Sequence, residues 1–94
     1  MTVGIRIKLA GVNQDQFDQI RASVDPDNNP PDGLLYHASG PIDGGWGVID
    51  FWASREQFDR FAQERIAPAV AAVDPPATAA PDIKEFPVYE TSQP

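Results

Sequence analysis

Val3, Ile5, Ile7 and Leu9 alternate with Gly4, Arg6, Lys8 and Ala10, a period of two that predicts a first strand with one apolar face. Asn13 followed three positions on by Gln16 has the form of a capping box. It predicts a helix with Phe17, Ile20 and Val24 along one side. The run DPDNNPPD, Asp25 to Asp32, cannot continue a helix and reads as a loop. Two further strands, Leu34 to Gly40 and Trp46 to Trp52, flank a Pro-Ile-Asp-Gly-Gly turn. Ser54 then caps a second helix, with Gln57 three residues later and Phe58, Phe61 and Ala62 as its buried stripe. Pro68 predicts a kink or restart, with Ala69 to Val73 as a last turn or two. After the loop DPPATAAP, Asp82 to Glu90 is expected to be the final strand. Pro87 within it argues for a sheet edge or a bulge.

The order β-α-β-β-α-β is the ferredoxin-like unit. It implies a four-stranded antiparallel sheet of order 4-1-3-2 with both helices on one face, an α+β fold in a single domain spanning residues 1–94. The proline-bearing strand then falls at an edge.

A two-residue type I′ turn at Asp43-Gly44 would pair Ile42 with Gly45. It would also set Ser39 opposite Val48, His37 opposite Asp50 and Leu35 opposite Trp52. On this reading Tyr36, Ala38, Ile49, Phe51, Phe86 and Val88 face the helices with the apolar side of the first strand. Arg6, Lys8, Leu35, His37, Trp46, Val48, Asp50, Trp52, Ile83, Glu85 and Tyr89 are expected on the other side.

Composition narrows the function. Fourteen acidic against seven basic residues give a net charge of −7, so nucleic acid and anionic membrane surfaces are poor partners. The absence of cysteine excludes a disulfide framework, a thiolate nucleophile and a zinc–thiolate cluster. Arg6 and Lys8 interrupt the apolar N-terminus, which lacks a signal-peptide pattern, and no run approaches a membrane span. A cytoplasmic location is the expectation.

The second face is too aromatic to meet water and too charged to be sealed in a small core. A second copy packed sheet against sheet solves that conflict. The hairpin GPIDGGWGVIDFW, the helix SREQFDRF that follows and the closing strand Ile83-Lys84-Glu85-Phe86-Pro87-Val88 resemble the dimeric α+β barrel superfamily, and within it the antibiotic-biosynthesis monooxygenase (ABM)-like small proteins. The resemblance spans nearly the whole chain, and its motifs are architectural. It implies a homodimer, a ligand pocket in each subunit between sheet and helices or toward the barrel lumen, and no cofactor. Relatives of this type include cofactor-free oxygenases of phenolic polycycles, haem degraders, isomerases and cyclases. Haem degraders carry a ligating histidine on a helix, whereas the only histidine here is on the second strand. Cofactor-free oxygenases and haem degraders use an asparagine near the substrate, whereas Asn13, Asn28 and Asn29 lie in a cap or a loop.

Each candidate residue carries two readings. His37 beside Asp50 suits a general base oriented by a carboxylate, since imidazole titrates near neutrality. The same pair also suits a hydrogen bond between two half-buried polar groups. Arg6 can hold an enolate or phenolate oxygen, or pair with Asp50 or Glu85. Trp46, Trp52 and Tyr89, with Leu35 beside them, can stack on a planar ligand or fill a dimer core. Asp59, Arg60, Glu64 and Arg65 read as a solvated helix face. The loop around Asp25 reads as a connector that can also cover a pocket. A single histidine with scattered carboxylates makes no metal site. The glycines from Gly40 to Gly47 serve a turn, not a phosphate loop.

Two functions follow. One is a cofactor-independent monooxygenase, cyclase or isomerase of secondary metabolism acting on an aromatic or polyketide-like compound. The other is a non-catalytic dimeric barrel that binds a small molecule or serves in assembly.

Overall fold

The computed structural model describes residues 1–94. Strand β1 (Val3–Ala10) leads to helix α1 (Gln14–Val24) and then to the hairpin β2 (Leu34–Ile42) and β3 (Gly45–Trp52). Helix α2 (Arg55–Phe61) continues through a π-helical segment (Ala62–Ile66) into α3 (Ala67–Ala71). Strand β4 (Asp82–Pro87) closes the sheet. The strand order is β2-β3-β1-β4, all neighbours antiparallel, which is the predicted 4-1-3-2 arrangement.

Both caps form as the sequence predicts. The Asn13 side chain accepts from the Gln16 backbone while the Gln16 side chain accepts from the Asn13 backbone, 2.9 Å each. Ser54 accepts from the Gln57 backbone at 3.2 Å. The expected interruption at Pro68 takes a specific form. A proline ring there would meet the carbonyl of Glu64 in a regular helix, and the chain widens over Ala62–Ile66, where Ala67 N–H donates to Ala62 five residues back. The last strand ends at Pro87 rather than Glu90, and Tyr89 lies beyond it, 98% exposed.

The hairpin pairs Ile42 with Gly45, Ser39 with Val48 and His37 with Asp50, as expected. Only Gly44 of the two turn residues has a positive φ, 78°, so the turn has the signature of type II rather than type I′. A bulge between Leu34 and Tyr36 puts Leu34, not Leu35, opposite Trp52.

The face assignment is reversed for three of the four strands. Strand β1 pairs Val3 with Trp52, Ile5 with Asp50, Ile7 with Val48 and Leu9 with Trp46. Directly opposed residues share a face, so the Trp46, Val48, Asp50, Trp52 and His37 set lies with the apolar stripe of β1, under the helices. The same rule puts Ile83 and Glu85, paired with Ile7 and Ile5, on that side. Tyr36, Ala38, Ile49, Phe51 and Phe86 instead share the open face with Arg6 and Lys8. The core is built from Val3, Ile5, Ile7, Leu9, Val48 and Trp52 against Phe17, Ile20, Phe58 and Ala69.

Candidate active site

Asp50 is 3% exposed beneath the helices, and a carboxylate so placed must find donors within the fold. It has two. His37 Nδ1 lies 2.6 Å from Asp50 Oδ1, and Trp52 Nε1 donates to Asp50 Oδ2 at 3.3 Å. Pairing across β2 and β3 supplies the histidine, and the period of two along β3 supplies the indole. A carboxylate can only accept, so Nδ1 carries the hydrogen of this contact and Nε2 is left free of it. The His37 side chain remains 37% exposed.

His37 and Asp50 border a cavity of about 360 Å³ between the sheet and the helices. Ile7, Leu9 and Val48 line it from the sheet, Phe17, Ile20 and Arg21 from α1, and Phe61, Ile66 and Val70 from the second helix. Its remaining wall is the α1–β2 loop, through Pro26, Asp27, Pro30 and Pro31. The lining is mostly apolar. Its charged or titratable side chains are Arg21, Asp27, His37 and Asp50, and Arg21 grips both Asp27 oxygens at 3.1 Å. An apolar body with one acidic proton near His37 fits this chemistry.

The other candidates lie elsewhere. Arg6 is on the open face, 3.6 Å from Asp82, with the whole sheet between it and His37. It cannot hold an oxyanion formed at His37. Neither Asp50 nor Glu85 is its partner, because both point to the helix side, where Glu85 pairs with Arg55 at 2.6 Å. Trp52 is fully buried in the core, packed on Phe58 and Phe61 at 5.6 and 5.1 Å. It touches the site through its indole N–H alone. Trp46 stacks on Phe17 at 5.2 Å outside the cavity lining, and its buried Nε1 has no partner. Leu35 is bulged out of the ladder and 60% exposed, and Tyr89 is in the tail, so neither reaches the cavity.

Residues absent from the sequence reading complete the site. Leu34 takes the place opposite Trp52 expected of Leu35, because the bulge shifts parity by one, and it lines the cavity. Arg21 follows Ile20 on the edge of the α1 stripe, a flank that periodicity alone assigns to solvent. The loop prolines were read one by one only as helix breakers, although the loop as a whole was read as able to cover a pocket. No group of three or more His, Cys, Asp or Glu side chains converges to hold a metal ion, and no helix is long and apolar enough to cross a membrane.

No family model matches the chain, and neither does any curated protein sequence. Solved structures do. A candidate antibiotic biosynthesis monooxygenase from Caulobacter crescentus CB15 superposes with a TM-score of 0.72 at 18% identity, covering 95% of this chain and 91% of that one. SnoaB, a cofactor-independent oxygenase from Streptomyces nogalater, gives 0.63 at 17% identity, with 96% and 94% covered. A dimeric ferredoxin-like protein of unknown function from Thermobifida fusca YX gives 0.66 at 15% identity, with 94% and 92% covered. The chain therefore has the ferredoxin-like α+β fold of the antibiotic-biosynthesis monooxygenase-like proteins.

Proposed function

We propose that this chain is a cofactor-independent enzyme, a monooxygenase in its best-supported form, acting on an aromatic or polyketide-like compound as a homodimer. The observation that carries the proposal is the His37–Asp50 contact of 2.6 Å at the wall of an apolar cavity. Similarity to a fold that includes a cofactor-independent oxygenase supports it.

His37 Nε2 takes a proton from an activated C–H or phenolic O–H, and Asp50 fixes the tautomer and stabilises the imidazolium that forms. At a CH₂ flanked by aromatic or carbonyl groups, the carbanion bonds to dioxygen and gives a peroxide anion. The imidazolium returns its proton, and loss of water leaves C=O where CH₂ stood. Substrate carbon is oxidised by two hydride equivalents, and one oxygen atom leaves as water. The same anion, without dioxygen, can cyclise or isomerise. Apolar walls exclude water from the anion. In place of Arg6, the cations available to it are the imidazolium itself and Arg21.

The dimer is supported by the open face, where Tyr36, Ile49 and Phe86 are 59%, 52% and 53% exposed, and by the dimeric Thermobifida protein of the same fold. Oxygen uptake with a panel of phenols and polyketide-like enols tests the activity. His37→Ala is expected to abolish turnover on any active substrate while the mass stays that of wild type and the stability falls by about 1–3 kcal/mol, because Asp50 loses one of its two donors. Retained turnover in that variant rules His37 out as the base.

A non-catalytic binding barrel is the second reading. One observation favours it: both Asp50 oxygens are already satisfied within the fold, as a structural network requires. In that case His37→Ala would leave a ligand's affinity largely intact and cost about 1–3 kcal/mol by stranding Asp50.

A further inference from the structure

The cavity is closed on one side only by the α1–β2 loop, and that loop is fastened from across the cavity. Arg65, in the π-helical segment, donates through the same Nη2 to the carbonyl of Val24, at the end of α1, and to the carbonyl of Asn29 at 2.7 Å. Its guanidinium carbon lies 5.2 Å from the centre of the Phe61 ring. Both ends of its reach are cavity wall: Phe61 and Ile66 on the helix side, Pro30 and Pro31 next to Asn29 on the loop side.

The loop has few other ties. Asp25 turns the chain out of α1 with a positive φ of 52° and is bonded only locally, to Asn28 through its side chain and to Arg21 and Asn29 through its backbone. Arg21 holds Asp27 from α1, and Gln57 holds Asp32 at 3.2 Å. Pro26, Pro30 and Pro31 lack N–H groups, so the loop has three fewer backbone donors to offer a neighbouring element. Arg65 alone joins residues 24 and 29 to the second helix by hydrogen bonds. The widened π turn falls on that residue, and such turns concentrate at functional sites.

We infer that Arg65 is a specificity-determining positioning residue: by clamping the Val24 and Asn29 carbonyls it sets the width of the His37 cavity, and so the size of planar phenol it admits. This rests on the reading of that cavity as a phenol site. A planar, charged donor with its guanidinium over the Phe61 ring suits the task better than an ammonium, which has fewer fixed directions.

The test compares wild type with Arg65→Met, which keeps the apolar stem and removes both donors. The probes are 2-naphthol and 1-hydroxypyrene, two and four fused rings, with dissociation constants read from tryptophan emission. Amide exchange of residues 27–32 is followed in parallel. Arg65→Met is expected to shift the ratio of the two constants about tenfold toward the larger phenol, with faster exchange in the loop. Arg65→Lys should recover part of the wild-type ratio, and it serves as the comparison if the methionine variant does not fold. Wild-type binding with an unchanged ratio in the folded variant overturns the role of Arg65 and leaves the phenol site standing. Failure of both phenols to bind wild type overturns the phenol site and the role of Arg65 with it. A melting temperature that falls while the ratio holds marks Arg65 as a structural tie only, and also overturns the inference.

Discussion

The two faces of the sheet use the same kinds of residue to opposite ends. Under the helices, Val3, Ile5, Ile7, Val48 and Trp52 are all buried, and the polar pair set among them, His37 and Asp50, borders the cavity. On the open face, Tyr36, Phe51 and Phe86 form an aromatic row, with ring centres 6.2 and 6.5 Å apart. Gly4 leaves room for the Phe86 ring, because a Cβ there would run into it. That row is ordered but uncovered. Beside it, Arg6 and Lys84 stand opposite each other in the β1–β4 ladder, with Asp82 near both. Hydrophobic content is therefore a poor guide to which face becomes core. What separates the faces is that one has met its covering layer within the chain and the other has none there.

The sharpest break in the comparison is expected from Trp52→Ala. It removes a fully buried ring and one donor to Asp50, and should cost about 3–5 kcal/mol in denaturant unfolding. A comparable loss from Phe86→Ala at low protein concentration would show that the open face is core after all. Asp50→Ala comes next, at about 1–3 kcal/mol, since it strands the Trp52 indole and the His37 ring. Asp50→Asn should cost less and still lower turnover, because an amide holds Nδ1–H but cannot balance an imidazolium. Wild-type turnover in both variants would remove Asp50 from the mechanism.

Ile49→Lys tests the other face. It should change the stability of the isolated protomer by no more than about 0.5 kcal/mol, yet bring the mass in light scattering down to a single chain of 10.2 kDa. An unchanged mass, or a wild type that is itself monomeric, would exclude the sheet-to-sheet dimer. The smallest effect belongs to Arg55→Ala. Its pairs with Glu85 and Asp59 involve an arginine side chain 63% exposed, and surface pairs of this kind contribute about 0–1 kcal/mol.

Local chemistry was legible in the sequence wherever one short segment held all the information. The two caps, the strand–helix order and the His37–Asp50 pairing each follow from residues a few positions apart or joined by a tight turn. Leu34 and Leu35 were not separable, because a bulge exchanges their roles and leaves no mark in two adjacent leucines. Arg65 looked like one more charge on a wet helix, and its carbonyl partners lie 41 and 36 residues away.

The sequence by itself determined the elements, their order and which hairpin residues face one another between the turn and the bulge at Leu35, since backbone periodicity, capping and turn geometry act locally. Only the tertiary structure decided which side of the hairpin became the core. Both sides carry aromatic and β-branched residues, and β1 reaches β3 through no tight turn, so nothing local couples their parity. Pairing Ile5 with Asp50 rather than with a neighbour one place along moves every hairpin side chain from one face to the other. That single register placed the histidine and its carboxylate beneath the helices, where a cavity exists, and left Arg6 on the far side of the sheet.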